Sequence, residues 1–383
     1  MSEAGAEAEE HRAGWFELFF DLVFVVTVAV LARGLHGDPD AAAFGTFLVL
    51  FFPAWWAWVN LMLTVNVFGS AGPRVQGMLV AAMPGLGLMA AAAPEGLHSR
   101  AWAYALGAAW VRFAAFGLWY GRARRPDNAL PVWRPVSYCL VTGGIWAVSA
   151  AVPNPGRFVL WGLAIGVEVV LLMASTGAGW ELYDELSIDH LVERISLFVV
   201  IVLGESVFTL VVAFTDHFTG PSGATALLGF LVVAELAMVF FLWGTTGASR
   251  GLGRAQESRA IRAMRDSVMY LPFVLVSGIT VIAAALGTAV DHPEHHLPPG
   301  ARWALCGGVL AFYTANAAIS LRFGDPPGMV LRWYVPALAL VAVVLVPASV
   351  LLPAWAAVGC SAAVVFALAK LAKYRARLRL PGT

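Results

Sequence analysis

Six carboxylates, Glu17, Asp21, Glu168, Glu193, Glu205 and Glu235, and two arginines, Arg112 and Arg194, stand inside long apolar runs of this 383-residue chain. Ionised near the centre of a bilayer, each such side chain costs about 2.5–3.5 kcal/mol even on a lenient scale. Two arginines offset only part of that, so the other acids must hold a proton, bind a cation or face water. Glu17 and Asp21 lie one turn apart on one helix face, whereas Glu193 and Arg194 are sequence neighbours and point apart. Counted from the ends of their runs, Arg112, Glu168, Glu205 and Glu235 fall about 16–20 Å deep, close to the midplane. Glu17, Asp21 and Glu193 sit near the opposite, inner ends. The pattern is a central layer suited to proton or ion exchange and an inner layer suited to a gate. Two structural alternatives stand beside it: first-turn acids favour the helix dipole, and Arg112 with a central glutamate can form a static buried pair.

The elements that must hold these groups follow from composition. The chain is 60% hydrophobic and only 13% charged, with a mean hydropathy of +0.77, whereas a soluble domain runs about a quarter charged. Twelve apolar runs read as membrane helices, at residues 15–33, 44–67, 75–93, 101–120, 132–152, 157–178, 190–214, 222–246, 266–289, 302–321, 330–347 and 349–370. Between the last two, only the stretch from Pro347 to Pro353 marks a turn. Alternating the connections leaves only Arg33, Arg100, Arg157 and Arg302 on the side opposite the termini. The other loop bases gather on the terminal side, so the positive-inside rule makes both termini cytoplasmic in the plasma membrane. The tail 1–14 is acidic and lacks a basic segment before the first run, which reads as an uncleaved anchor.

The expected fold is therefore all-α, a polytopic membrane protein of about twelve helices. An acidic cytoplasmic connection, 179–189, divides it into halves at 15–178 and 190–370, followed by a basic tail at 371–383. Arg100 with Trp102 and Arg302 with Trp303 open the fourth and tenth runs. Correspondences of this kind fit two parallel six-helix repeats about an axis along the membrane normal, as well as chance similarity between apolar arrays.

The string ELFFDLVFVVTVAVLARGL at 17–35, with HLVERISLFVVIVLGESV at 190–207, resembles the bacterial low temperature requirement protein A (LtrA) family. The resemblance implies a polytopic inner-membrane protein, marks Glu17, Asp21, His190, Glu193, Arg194, Gly204, Glu205 and Ser206, and brings no substrate with it. It also suggests Trp55, Trp56 and Trp58 in the second run and Arg112 in the fourth. The family continues its second run into a polar, acidic stretch. Here Asn66-Val67-Phe68-Gly69-Ser70 has lost the charges, which puts any site depending on that stretch in doubt.

Other chemistries find little support. Net charge is zero, so nothing favours nucleic acid. Cys139, Cys306 and Cys360 stand singly, without metal-ligand spacing. A retinal Schiff base needs a central lysine, and the lysines are Lys370 and Lys373. The histidines lie at run ends or in loops, so no haem or other cofactor is expected. The segment Asp291-His292-Pro293-Glu294-His295-His296 reads as a solvated loop before a metal site. No catalytic signature argues for an enzyme. The function expected is a proton- or cation-coupled secondary transporter of a small solute. Glu205 and Glu235 would carry the ion, and Arg112 and Glu168 would bind solute or pair its charge. The inner gate would be Glu17, Asp21, Glu193 and Arg194. A membrane sensor or assembly factor for growth in the cold is the alternative, with an enzyme acting on lipids third.

Overall fold

The computed structural model describes residues 14–69, 72–125, 131–173 and 184–377. Among them there is no strand, only an isolated bridge between His296 and Pro353, and each apolar run falls on a helix. The first four are α1 (Trp15–Arg33), α2 (Ala41–Phe68), α3 (Pro73–Ala92) and α4 (Ala101–Ala123). Then come α5 (Trp133–Pro135, a π-helical stretch Val136–Val141, and Thr142–Ala151) and α6 (Gly156–Met173). Next are α7 (Ile188–Asp216), α8 (Gly220–Glu257) and α9 (Ile261–Asp291). The last are α10 (Pro299–Arg322), α11 (Pro327–Leu351) and α12 (Ala354–Arg377). Nine of these, all but α5, α6 and α12, are long and apolar enough among the described residues to cross a membrane. The apolar part of α12, Ala354–Lys370, is shorter. Residues 1–13 of the acidic tail, 378–383 of the basic tail, 174–178 at the end of the sixth run and 179–183 of the acidic connection lie outside the described residues.

The break between α11 and α12 falls at Leu352 and Pro353, and Pro347 sits inside a helix. The basic stretch from Arg250 to Arg265 is helical apart from residues 258–260. Large apolar side chains are exposed along the helices, among them Phe19, Val26, Val159, Val170, Phe208 and Leu227. In water such surface would drive aggregation, and in a bilayer it meets lipid tails. The charged groups Glu17, Asp21, Glu168 and Arg194 are instead almost fully buried, the reverse of a soluble fold.

The chain folds as two compact units. One gathers the residues up to Leu31, Leu48–Leu197 and Ala255–Arg262. Its core is aromatic: Trp55, Trp56, Trp58, Trp146 and Tyr104 are at most 1% exposed, so the three tryptophans of α2 pack inward. In this unit α3 and α4 approach closely at glycines. A methyl group on Gly85 would lie 2.9 Å from the Gly107 carbonyl oxygen, and one on Gly107 would lie 2.5 Å from that of Gly85. The other unit gathers Ala32–Phe47, Phe198–Arg254 and the chain from Ala263 onward. Its α9 and α10 meet in the same reciprocal way, at Gly278 and Gly308, with corresponding distances of 2.9 and 2.8 Å. Small residues facing each other let helix backbones approach where no hydrophobic effect drives them together.

Candidate functional site

In the first unit α1 and α7 bring four ionisable side chains together, and α2 adds the indole of Trp58. Arg194 donates from Nη2 to Asp21 Oδ1 at 2.7 Å, and its Nε lies 3.3 Å from Glu17 Oε2. Trp58 donates its indole N–H to Asp21 Oδ1 at 2.8 Å. His190 Nε2 lies 3.1 Å from Glu17 Oε2. Glu17 and Asp21 are exactly a helical turn apart in sequence, which is how one guanidinium reaches both. Glu17, Asp21 and Arg194 are at most 1% exposed and His190 is 7% exposed.

The tautomer of His190 follows from Asn66. The backbone N–H of Ser187 donates to Asn66 Oδ1 at 3.0 Å, which fixes the amide's orientation, since a backbone N–H can only donate. Asn66 Nδ2 therefore faces the Ser187 carbonyl at 3.0 Å and His190 Nδ1 at 3.1 Å. With a donor aimed at it, Nδ1 accepts, the ring proton resides on Nε2, and Nε2–H donates to Glu17. The imidazole is then neutral, and among these four side chains two carboxylates share one guanidinium. With both carboxylates ionised, the cluster is one positive charge short of neutrality among the described residues. Asp21 Oδ2 is buried with no hydrogen-bond partner among the described residues, as are Arg194 Nε and Nη1. An unpaired buried carboxylate oxygen beside an uncompensated charge is suited to take a proton or a cation.

The same unit holds a second buried pair. Arg112 and Glu168 form a two-pronged fork, with Nε on Oε1 and Nη2 3.0 Å from Oε2. The third prong, Nη1, donates to the Ala108 carbonyl at 2.9 Å, and the guanidinium lies over Trp146, 5.1 Å from the ring centre. All three guanidinium nitrogens have a partner, one face lies on Trp146, and the opposite charges of the pair cancel. Its geometry is that of a closed contact.

In the second unit Glu205 is half-buried on α7, and the Arg33 guanidinium at the end of α1 acts on it electrostatically. Glu235 on α8 is half-buried. Its Oε2 is buried without a hydrogen-bond partner among the described residues, as is the hydroxyl of Tyr313, whose ring lies near enough to feel the Glu235 charge. Ser206 turns back on its own helix, donating to the Val202 carbonyl at 3.0 Å. Gly204 is exposed and a methyl group there would meet nothing within 4 Å. Glu193 is half-buried next to Arg194 in sequence, and Arg194 turns to α1 instead.

Of the residues singled out by sequence, Glu17, Asp21, His190 and Arg194 come together, and Arg112 meets Glu168. Sequence reasoning marked Trp58 through the resemblance without finding its hydrogen bond to Asp21, and missed Asn66 as a partner of His190 and Arg33 as a charge acting on Glu205. Asn66 could have been found by asking which amide lies near the first turn of the seventh run, but no spacing pairs it with His190.

A family model described as bacterial low temperature requirement A protein (LtrA) matches residues 12–370. An uncharacterized protein of Rhizobium meliloti (strain 1021) is 24% identical over 294 residues, covering 74% of this chain and 71% of the relative. No solved structure matches.

Proposed function

The chain belongs to the bacterial low temperature requirement A family, and from that premise we propose that it is a proton- or cation-coupled secondary transporter of a small solute in the plasma membrane. The observation that carries this reading is the buried Glu17, Asp21, His190 and Arg194 cluster, one positive charge short, with Asp21 Oδ2 left unpartnered. A static scaffold gains nothing from an uncompensated buried charge, whereas a carrier gains a site whose occupancy changes. Glu205 and Glu235 serve as further proton or ion sites, and Asp21 is where the cation is exchanged. No catalytic chemistry is part of the proposal.

The proposal takes twelve spans, both termini in the cytoplasm and two parallel six-helix halves. The glycine contact of α3 with α4 and its counterpart of α9 with α10 support the repeat, since these are the third and fourth helices of each half. So does the start of the fourth helix in each half. Arg100 Nη1 donates to the Ala91 carbonyl at 3.1 Å, and Arg302 Nε to that of Leu297 at 2.6 Å, each tying the helix to the segment before it.

One observation favours the alternative of a non-transporting membrane sensor or assembly factor. The Arg112–Glu168 fork is closed, and a solute would have to break it. The reading above therefore assigns that pair to positioning α4 against α6. The test is a proteoliposome loaded with a pH dye, in which an imposed pH gradient drives flux through the parent protein. Asp21→Asn and Glu205→Gln should each abolish that flux. Equal flux in variants and parent removes the transport reading.

A further inference from the structure

Beyond the charged groups already placed, the second unit carries a run of histidines at the end of its helices where α1, α7 and α9 meet loops. His217, just past α7, places Nδ1 3.2 Å from Asp291 Oδ1 at the end of α9. The His292 ring lies 5.9 Å from the His217 ring, and the His295 ring 6.2 Å from that of His292. His217 is 46% exposed and Asp291 24%, while His292 and His295 are exposed.

Below this rim lies His36. Its ring packs where α9 has only Gly287: a methyl group there would lie 2.7 Å from His36 Cε1 and 3.0 Å from the Thr209 methyl carbon of α7. His36 and Thr209 thus share one spot on α9, and Thr209 stands one turn beyond Glu205 on α7. The loop carrying His36 is pinned on both sides. Gly37 N–H donates to Thr288 Oγ1 at 2.9 Å, and Gly300 N–H donates to Asp38 Oδ1 at 2.6 Å. Asp291 of α9 acts on His36 electrostatically, Asp38 follows in the same loop, and the neighbouring Thr209 stands one turn from Glu205, on which Arg33 acts.

We propose that His217 and Asp291, with His292 and His295 around them, collect protons and pass them through His36 to Glu205. This inference rests on the reading of Glu205 as a proton carrier. In each step an imidazole gains a proton on one ring nitrogen and releases one from the other, so each histidine ends neutral in the opposite tautomer and a ring flip resets it. The carboxylate of Glu205 ends as a neutral carboxyl, one proton having left bulk water. Burial pulls the His36 imidazole below its ordinary value against the opposing pull of Asp291, so it holds a proton briefly and hands it on. The Arg33 guanidinium acts on the acceptor electrostatically. A glycine at 287 is what leaves room for the ring.

The test follows the proton's arrival by infrared absorption of the purified full chain after a rapid pH jump. The carboxyl band that vanishes in Glu205→Gln reports Glu205. In the parent this band should respond quickly. In His36→Gln and in His217→Gln it should respond more slowly, by roughly a hundredfold, the lower end of what a positioned proton-transferring side chain contributes. Added 4-methylimidazole should restore the rate. If His36→Gln does not fold, His217→Gln, at a half-exposed position, remains decisive. An unchanged rate in the variants, or a parent in which the Glu205 band never responds, overturns the proposal. A normal band with normal rescue but no flux in proteoliposomes refutes the transport reading alone and leaves the proton entry standing.

Discussion

The indole N–H of Trp58 and the carboxylate of Asp21 are joined by a buried hydrogen bond of 2.8 Å. It ends on the same oxygen, Oδ1, that receives Arg194 at 2.7 Å. One carboxylate oxygen is doubly served and the other has no hydrogen-bond partner among the described residues, so the acid is oriented but only partly compensated. Trp58→Phe keeps an aromatic ring, though a smaller one, and removes the donor. It should lower stability by about 1–3 kcal/mol, the cost of unmaking a buried hydrogen bond to a charged group. Thermal unfolding of the purified protein measures it, and an unchanged midpoint would mean the contact orients nothing.

Among the described residues, Arg194 is the guanidinium that the cluster's two acids share. Arg194→Gln leaves Glu17 and Asp21 buried together and should cost about 3–5 kcal/mol. Adding Glu17→Gln and Asp21→Asn to it should recover most of that loss, because no buried charge then remains. Arg194→Lys should not substitute, since an ammonium lacks the fork that spans both carboxylates. Denaturant titration of the variants separates these cases.

Arg112 and Glu168 make a closed pair, so their removal should be strongly non-additive. Arg112→Leu alone should destabilise by about 3–5 kcal/mol, whereas Arg112→Leu with Glu168→Leu should be close to neutral. Flux through the double variant should match the parent. A double variant that is stable and yet inactive would show that this pair handles solute.

Stability should depend on pH through His36, which lies outside the membrane-spanning segments. Burial, the larger effect, lowers its folded value from the ordinary 6.5, and Asp291 opposes. The unfolded chain therefore binds a proton first as pH falls, so stability declines below about pH 6.5 and is flat above it as far as this group is concerned. His36→Gln should flatten that decline. Unfolding midpoints measured across this window should separate parent from variant below pH 6.5 and converge above it.

The glycine contacts predict a position-specific cost. Gly107→Ala would place a methyl group 2.5 Å from the Gly85 carbonyl oxygen and should cost about 1–3 kcal/mol by overpacking. Gly278→Ala should behave alike in the other unit. Gly87→Ala, where nothing lies within 4 Å, should be tolerated, and unfolding of all three checks the contrast.

Much of the candidate site was legible because charge inside an apolar run is costly enough to be conspicuous. Glu17 and Asp21 were readable as one face because a helix repeats every 3.6 residues. Glu193 beside Arg194 was readable as a non-pair for the same reason. Trp58 was not, since an indole in a tryptophan-rich run looks like packing until its N–H finds an acceptor. Asn66 was not either, because its role is to set the tautomer of a histidine on a helix far away in sequence. The histidines in loops and at run ends, dismissed for haem, gain meaning only when His36 is found packed over Gly287.

Sequence alone determined that this chain is helical, that it belongs in lipid, and which of its charges would be expensive to hold there. Those follow from local properties: apolar length, helical period and the energy of an ion in a low-dielectric medium. Only the tertiary structure decided that Arg194 turns to Glu17 and Asp21, that Arg112 locks onto Glu168 and that the Arg33 charge acts on Glu205. The helical period sets which side chains share a face within a helix. The rotation and height of that helix against its neighbours come from packing across the interface, as at Gly85 and Gly107, and no single run of residues encodes them.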